Sequence, residues 1–230
     1  MKLNDDQLNL FTYNFAIKYD KRNYCKYYLS LIKTKHIVIF SFFYNKDYNP
    51  KILKIDLFFI NFIIYYNVNA LFYNDDTMHN IYKTKGSFNL EYQLPKIIYS
   101  SFISIFLNLI LKILVLSNDE ILDFKKTETK NKNGNKQRKL IDKLRIKFIL
   151  YFIISFIFLL FFCYYLSMFC AIYRNTQIHL IKDTLISFGL SLFYPFGIYL
   201  LPGIFRIPAL SNPKKKRILL YRISLILQML

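Results

Sequence analysis

Four long apolar runs alternate with polar segments along this chain. A bilayer core about 30 Å thick needs roughly 20 apolar residues in a helix that rises about 1.5 Å per residue. Each run approaches or exceeds that length and holds at most one charged residue, so the pattern predicts four transmembrane helices. The runs are residues 57–73, 97–116, 148–173 and 184–205.

Amphipathic segments flank the four runs at both ends of the sequence. Within residues 6–35, aromatic and aliphatic side chains recur at helical spacing, which predicts helices that lie at the membrane interface. Residues 218–230 follow a Ser-Asn-Pro helix start and predict a second interfacial helix. The expected fold class is therefore an all-α, multi-pass helical membrane bundle with about four transmembrane spans and interfacial amphipathic helices at both ends.

A shorter apolar run at residues 36–44 does not fit the pattern of the other four. Its nine residues are too few to cross a bilayer without the preceding segment. A fifth crossing would place Lys33 and Lys35 in the hydrocarbon, at about 2.5 to 3.5 kcal/mol each. We therefore expect a re-entrant segment here, with a fifth crossing as the alternative.

Positive charge is unevenly distributed between the runs. Of 32 Lys and Arg residues, ten lie in residues 1–55, ten in 118–147 and six in 206–230, but only five in the other two connections. Basic connections stay on the cytoplasmic side, so both termini are expected in the cytoplasm of a membrane whose identity the sequence leaves open. The net charge of +18 is explained by this topology, and a nucleic-acid partner is not expected.

The same pattern divides the chain into three segments. Residues 1–118 hold the interfacial N-terminal region and spans 1 and 2, and residues 147–230 hold spans 3 and 4 with the basic C-terminal helix. Residues 119–146 form a basic cytoplasmic linker between them. Its central part, residues 125–139, has no apolar side chain and is predicted to be disordered.

The fourth run differs from the others because three prolines and three glycines fall within residues 188–208. Proline removes a backbone donor and clashes with the preceding turn, so a kinked or broken helix is predicted. Broken helices either pack against their neighbours or line ion and substrate sites. The sequence favours packing, because no acidic residue lies beside the prolines.

Few residues offer recognisable chemistry. Asp75, Asp76 and His79 could form part of a metal site, but no fourth ligand is near, so no metal site is predicted. No catalytic or cofactor-binding motif is present, and we expect no enzymatic activity. The one candidate site is a basic cluster suited to anionic lipid headgroups, which is equally explained as a topology signal. It consists of Lys214, Lys215, Lys216 and Arg217.

Several longer segments carry a resemblance. They are residues 20–36, 47–49, 69–79 (NALFYNDDTMH), 175–189 and 201–210 (LPGIFRIPAL). Together they resemble the C-terminal membrane module of large, uncharacterised protist multi-pass transmembrane proteins. The resemblance implies that this chain is the anchor end of a longer protein, present alone or as a fragment, and it implies no activity.

The sequence thus predicts an integral membrane protein that acts as a non-enzymatic anchor or assembly module. Its expected partners are the lipid bilayer, including anionic lipids, and further copies or a larger membrane assembly. The alternative is a small channel or transporter subunit that uses the broken fourth span. These two hypotheses differ in whether Asn61, Asn67 and Asn108 bond to neighbouring helices or line a wet path.

Overall fold

The computed structural model describes residues 4–85, 87, 89–128, 134–171, 176–211 and 217–229. These residues form eleven α-helices and one short π-helix, Ile39–Phe43, with no strand among them. The predicted all-α fold class is confirmed. The α-helices are α1 (Asp5–Asn9), α2 (Tyr13–Tyr19), α3 (Tyr24–Lys35), α4 (Lys51–Leu71), α5 (Asp75–Lys83), α6 (Leu90–Val115), α7 (Asn118–Glu128), α8 (Gly134–Ala171), α9 (Gln177–Ile198), α10 (Leu200–Ser211) and α11 (Ile218–Met229).

Four helical segments are long and apolar enough to cross a membrane, and each contains one of the predicted runs. The chain is therefore an integral membrane protein. The segments are Lys51–Leu71, Leu90–Lys125, Asn135–Ala171 and Gln177–Ser211.

The chain divides into two compact units. The bundle unit comprises Tyr48–Ser191, and the terminal unit comprises Met1–Asp47 and Leu192–Leu230. This division differs from the three segments drawn from the sequence, because those follow charge and predicted topology, whereas the units follow contacts.

In the bundle unit, α4 is the central helix and packs against both α6 and α8. Within its apolar window 61% of the residues are buried, compared with 11% for α8. Aromatic contacts connect α4 to α9. The ring of Phe188 in α9 makes edge-to-face contacts with Phe58, Phe62 and Tyr65 of α4 at centroid distances of 5.4 to 5.8 Å. Such pairs contribute about 0.5 to 1.5 kcal/mol each beyond area burial. The bundle is therefore organised around α4, while most side chains of α8 are exposed or only partly buried.

In the terminal unit, α10 and α11 pack against each other and receive the N-terminal helices. Tyr13, Ala16, Ala209 and Tyr221 form one buried cluster, and Tyr27 belongs to a second. The expected N-terminal amphipathic region is thus three helices, α1 to α3, whose buried faces are covered by protein. Their position at a membrane interface stays a prediction, as does the re-entrant path of residues 36–44.

Asparagine side chains begin three of the helices. The Oδ1 atoms of Asn23, Asn74 and Asn89 accept hydrogen bonds from the backbone N–H groups three residues later, at 2.9, 3.1 and 3.3 Å. A side-chain cap of this kind contributes about 1 kcal/mol, because the first turn of a helix leaves its donors without intrahelical partners.

Two expectations about local structure have different outcomes. The predicted break in the fourth span is present, because α9 ends at Ile198 and α10 begins at Leu200. Residues 125–139 are predicted to be disordered, but the part of them that the structure describes is helical. Residues 129–133 lie outside the described residues. Residues 125–128 belong to α7 and residues 134–139 to α8. Lys, Arg and Gln are good helix formers, so a segment without apolar residues can continue an adjoining helix.

The close approach of Gly203 to Tyr24 in the terminal unit generates a stability prediction. A Cβ at Gly203 would lie 2.6 Å from Cε2 of Tyr24, and the Tyr24 hydroxyl donates to the Leu200 carbonyl at 2.8 Å. We expect Gly203→Ala to lower the free energy of unfolding by about 1 to 3 kcal/mol, because the ring must move and lose its hydrogen bond. Unfolding in a denaturing detergent, followed by circular dichroism, measures the effect.

Gly197→Ala is the matched control, because a Cβ there meets nothing within 4 Å. Alanine is the better helix former, so this variant should be as stable as the wild type or slightly more stable. Equal losses in both variants would contradict the steric explanation.

Candidate functional site

The predicted lipid-binding cluster is only partly described. Lys214, Lys215 and Lys216 lie outside the described residues. Arg217 is described, and its side chain is directed at protein: Nη1 donates to the Pro208 carbonyl at 3.3 Å, and its backbone N–H donates to the Tyr13 hydroxyl at 3.0 Å. Arg217 thus ties the start of α11 to α2 and α10, and lipid contact by this cluster stays a prediction.

The most completely buried charge in the terminal unit is Arg206 of α10, whose side chain has no solvent exposure. Its Nε and Nη2 atoms donate to Oδ2 of Asp20 at 3.1 and 2.8 Å, and Nη2 also donates to the Leu8 carbonyl at 2.7 Å. Asp20 lies between α2 and α3, and its side chain is 2% exposed. The guanidinium group of Arg206 therefore joins α10 to Leu8 of α1, which precedes α2, and to Asp20, which follows α2.

A second guanidinium contacts the same carboxylate. Arg22 donates through Nε to Oδ1 of Asp20 at 2.7 Å and through Nη2 to Oδ2 at 2.8 Å, which is a bidentate pair. Its Nη1 donates to the Ser30 hydroxyl of α3 at 2.8 Å. The aromatic rings of Tyr27 and Tyr221 each lie 4.9 Å from Cζ of Arg206. Two cations thus share one anion, and the tyrosine faces accommodate the remaining positive charge.

The electrostatics of this cluster follow from burial and the two arginines. Burial by itself raises the pKa of Asp20, but the hydrogen bond and charge of Arg22, followed by those of Arg206, bring it below its usual value of 3.8. Burial raises the pKa of Tyr27 to about 12, although both arginines oppose this shift. Tyr27 is therefore a neutral donor, and its hydroxyl donates to Gln228 of α11 at 3.1 Å.

The broken fourth span offers backbone carbonyls to the N-terminal helices. Three carbonyls, spaced four residues apart, accept from side chains in and just after α3. We call this set the carbonyl ladder: Tyr24 to Leu200 at 2.8 Å, Tyr28 to Phe196 at 3.0 Å and His36 Nε2 to Leu192 at 2.9 Å. His36 must carry its proton on Nε2 to donate in this way. Side chains of the same chain thus bind two carbonyls before the break and one after it.

Asparagines of the spans are buried in the bundle unit, and two of them connect helices. Asn67 of α4 donates to the Phe158 carbonyl of α8 at 2.8 Å, and Asn69 donates to the Ser187 hydroxyl of α9 at 2.8 Å. Asn108 of α6 donates within its own helix, to the Ser104 carbonyl at 2.8 Å. Within the described residues, the Oδ1 atoms of Asn61, Asn67 and Asn108 have no hydrogen-bond partner.

A second polar cluster lies where α4, α5, α6 and α9 begin or end, at the end of the bundle that the charge pattern assigns to the outside. Tyr73 donates to Oδ2 of Asp183 at 2.6 Å. Lys96 donates to the hydroxyl of Thr77 and lies 4.3 Å from the centroid of the Tyr92 ring. The cluster joins α4 to α9 and α5 to α6.

The weak metal pattern has no support from the described geometry. Asp75, Asp76 and His79 are exposed on α5, whose first turn is capped by Asn74. Among the residues that the structure describes, no three His, Cys, Asp or Glu side chains are grouped so that they could hold a metal ion.

Sequence inspection did not identify the charged residues that the structure brings together. Arg206 belongs to the basic C-terminal region and to the resembling segment 201–210, and Asp20 and Asp183 lie in the resembling segments 20–36 and 175–189, but no sequence pattern assigns these residues a partner. An isolated acidic residue at the edge of an apolar run is the signal that points to Asp56 and Asp183, because such a group needs a partner.

The comparisons with known proteins are negative. No family model, curated protein or solved structure matches this chain.

The Asp20 cluster predicts a large stability effect. Replacing Asp20 by Asn removes the carboxylate that the guanidinium groups of Arg22 and Arg206 share. We expect Asp20→Asn to lower the free energy of unfolding by about 3 to 5 kcal/mol. Asp5→Asn is the control, because Asp5 is one-third exposed and lies 3.6 Å from Arg22. This variant should lower the free energy of unfolding by less than about 1 kcal/mol. Detergent unfolding measures both, and equal losses would contradict the role of Asp20.

The lowered pKa of Asp20 predicts an acid-dependent loss of stability. The folded protein binds this proton more weakly than the unfolded chain, so the contribution is complete above about pH 5 and disappears as the pH falls through the folded-state pKa. The melting temperature of the wild type should therefore approach that of Asp20→Asn as the pH is lowered from about 6 to about 3. A difference that stays constant over that range would contradict this assignment.

Proposed function

We propose that this protein is a non-enzymatic membrane anchor or assembly module with four spans and both termini in the cytoplasm. The observation that carries the proposal is the carbonyl ladder. A transport path along the broken span would require its carbonyls to face an ion or a substrate. In this protein, Tyr24, Tyr28 and His36 donate to three carbonyls of the span, so that side of it is covered by the chain's own side chains, which supports a break used in packing.

The distribution of uncovered surface supports the same proposal. Only 11% of the apolar window of α8 is buried, and Phe152, Phe156 and Phe161 are among its exposed side chains. In an apolar environment this surface is available to lipid or to a neighbouring helix, which are the contacts that an anchor or assembly platform uses. The basic cluster at residues 214–217 is the proposed contact with anionic headgroups.

A channel or transporter subunit is the second candidate. It is favoured by the buried amide oxygens of Asn61, Asn67 and Asn108, which have no hydrogen-bond partner among the described residues. Buried acceptors of this kind are costly in a dry bundle but not in one that holds water. The two candidates therefore differ in the water content of the bundle.

Single-cysteine labelling in membrane vesicles tests both candidates. The background lacks Cys25, Cys163 and Cys170, all of which are exposed. The topology positions are Leu10, Lys46, Lys136, Arg222, Tyr82 and Ile178, which are exposed in the structure. We expect a membrane-impermeant reagent to label only Tyr82→Cys and Ile178→Cys from outside and the other four from the cytoplasmic side.

Labelling of Lys46→Cys from outside would contradict this topology and indicate a fifth crossing. For the anchor, Asn61→Cys, Asn67→Cys and Asn108→Cys should react no faster with a water-soluble reagent than lipid-facing Phe106→Cys. Faster reaction at the three asparagine positions would favour the channel and contradict the dry bundle.

A further inference from the structure

A groove runs along the surface of the bundle unit between α4 and α8. It has a volume of about 540 Å³ and is lined by Asp56 and Ile60 of α4 and by the side of α8 that includes Phe152, Phe156 and Leu159. Its walls are apolar except for Asp56 and one serine. The groove is open along the surface, and like small-molecule sites it combines apolar walls with a few polar groups.

The acidic group of this groove has an incomplete set of partners. The Tyr151 hydroxyl donates to Oδ2 of Asp56 at 2.6 Å, and within the described part of the chain it is the only hydrogen-bond donor to that carboxylate. No described cation forms an ion pair with Asp56. Glu120 and Asp20, in contrast, are each paired with two cations. A half-buried carboxylate at the edge of an apolar run is costly without a cation, so Asp56 is suited to a cationic ligand.

The position of Asp56 along the helices restricts the ligand. It lies five residues beyond Lys51 in α4, and its partner Tyr151 lies four residues beyond Lys147 in α8. These separations correspond to about 6 to 7.5 Å along a helix axis. Lys51 is exposed, whereas Lys54, between it and Asp56, is buried. The carboxylate is therefore about one turn nearer to the apolar run at residues 57–73 than the exposed Lys51.

We propose that this groove binds a long-chain amine, in which the ammonium group is at the head of the hydrocarbon chain. The ammonium donates to Oδ1 of Asp56, and the chain lies on Phe152, Phe156 and Leu159. An aminophospholipid carries its ammonium beyond a phosphate. To reach Asp56 it would have to bring that phosphate about one turn past the exposed Lys51, to the edge of the apolar run, which costs desolvation energy. The site therefore selects an amine without a phosphate.

The absence of Trp from the chain makes a contact assay simple. Phe156→Trp places one fluorophore in the groove, and Phe106→Trp places one on α6, at a position of matching exposure, 63% compared with 60%. The full chain is reconstituted in phosphatidylcholine nanodiscs and titrated with dibrominated octadecylamine, whose bromines quench Trp on contact. We expect saturable quenching at Phe156→Trp, and at Phe106→Trp quenching that rises only in proportion to the mole fraction of amine.

Two comparisons test the role of the carboxylate. Dibrominated octadecanol has the same chain without the charge and should need about tenfold more ligand for half-saturation at Phe156→Trp. This comparison needs no change at Asp56, so it does not depend on the folding of a variant. In the second, Asp56→Asn combined with Phe156→Trp should remove the saturable component, while Tyr151→Phe combined with Phe156→Trp should retain it, because the carboxylate is intact.

Three results would overturn the proposal. One is quenching proportional to mole fraction at both Trp positions, which indicates bulk lipid contact. Another is equal half-saturation by the amine and the alcohol. The third is equal competition by unbrominated phosphatidylethanolamine and unbrominated octadecylamine, which would show that a phosphate is tolerated.

Discussion

Hydrogen bonds made inside the chain decide which parts of this protein can lie in apolar surroundings. An unpaired polar group in hydrocarbon costs several kcal/mol, so a helix that carries one must turn it towards a partner. The rotation of α4 follows from this constraint, because its buried Asn67 and Asn69 contact α8 and α9. Once α4 is oriented, the aromatic rings that pack on Phe188 are oriented with it.

Both units combine charged and neutral donors to satisfy this constraint. In the terminal unit, Asp20 between Arg22 and Arg206 joins segments that are far apart in the chain, and neutral tyrosines donate to the carbonyl ladder. In the bundle unit, tyrosine–carboxylate pairs such as Tyr73 with Asp183 occur beside the ion pairs of Glu120 with Lys143 and Lys147. Neutral donors need less desolvation than a guanidinium, so they suit contacts between apolar helices.

The proposed anchor and the proposed amine site depend on the same property of α8. Because few of its side chains are covered, its surface is open to lipid, to another helix or to a ligand that lies along it. The groove is the part of this surface where Asp56 of α4 lies beside apolar side chains of α8. In the proposed anchor, binding of an amine at Asp56 would make the protein respond to the composition of the bilayer.

The sequence by itself determined the helical class, the four spans and the break in the last span. Hydropathy, charge and proline act over one helix at a time, so these features are local. It did not determine the pairing of Asp20 with Arg206, 186 residues apart, or of Asp56 with Tyr151, 95 residues apart. Both pairings depend on how helices are rotated and packed, which residue spacing does not encode. The disorder predicted for residues 125–139 was wrong where the structure describes them. A prediction from composition considers the polar segment alone, whereas neighbouring helices can continue into it. Only the tertiary structure decided which polar side chains meet, since each partner is supplied by a different helix.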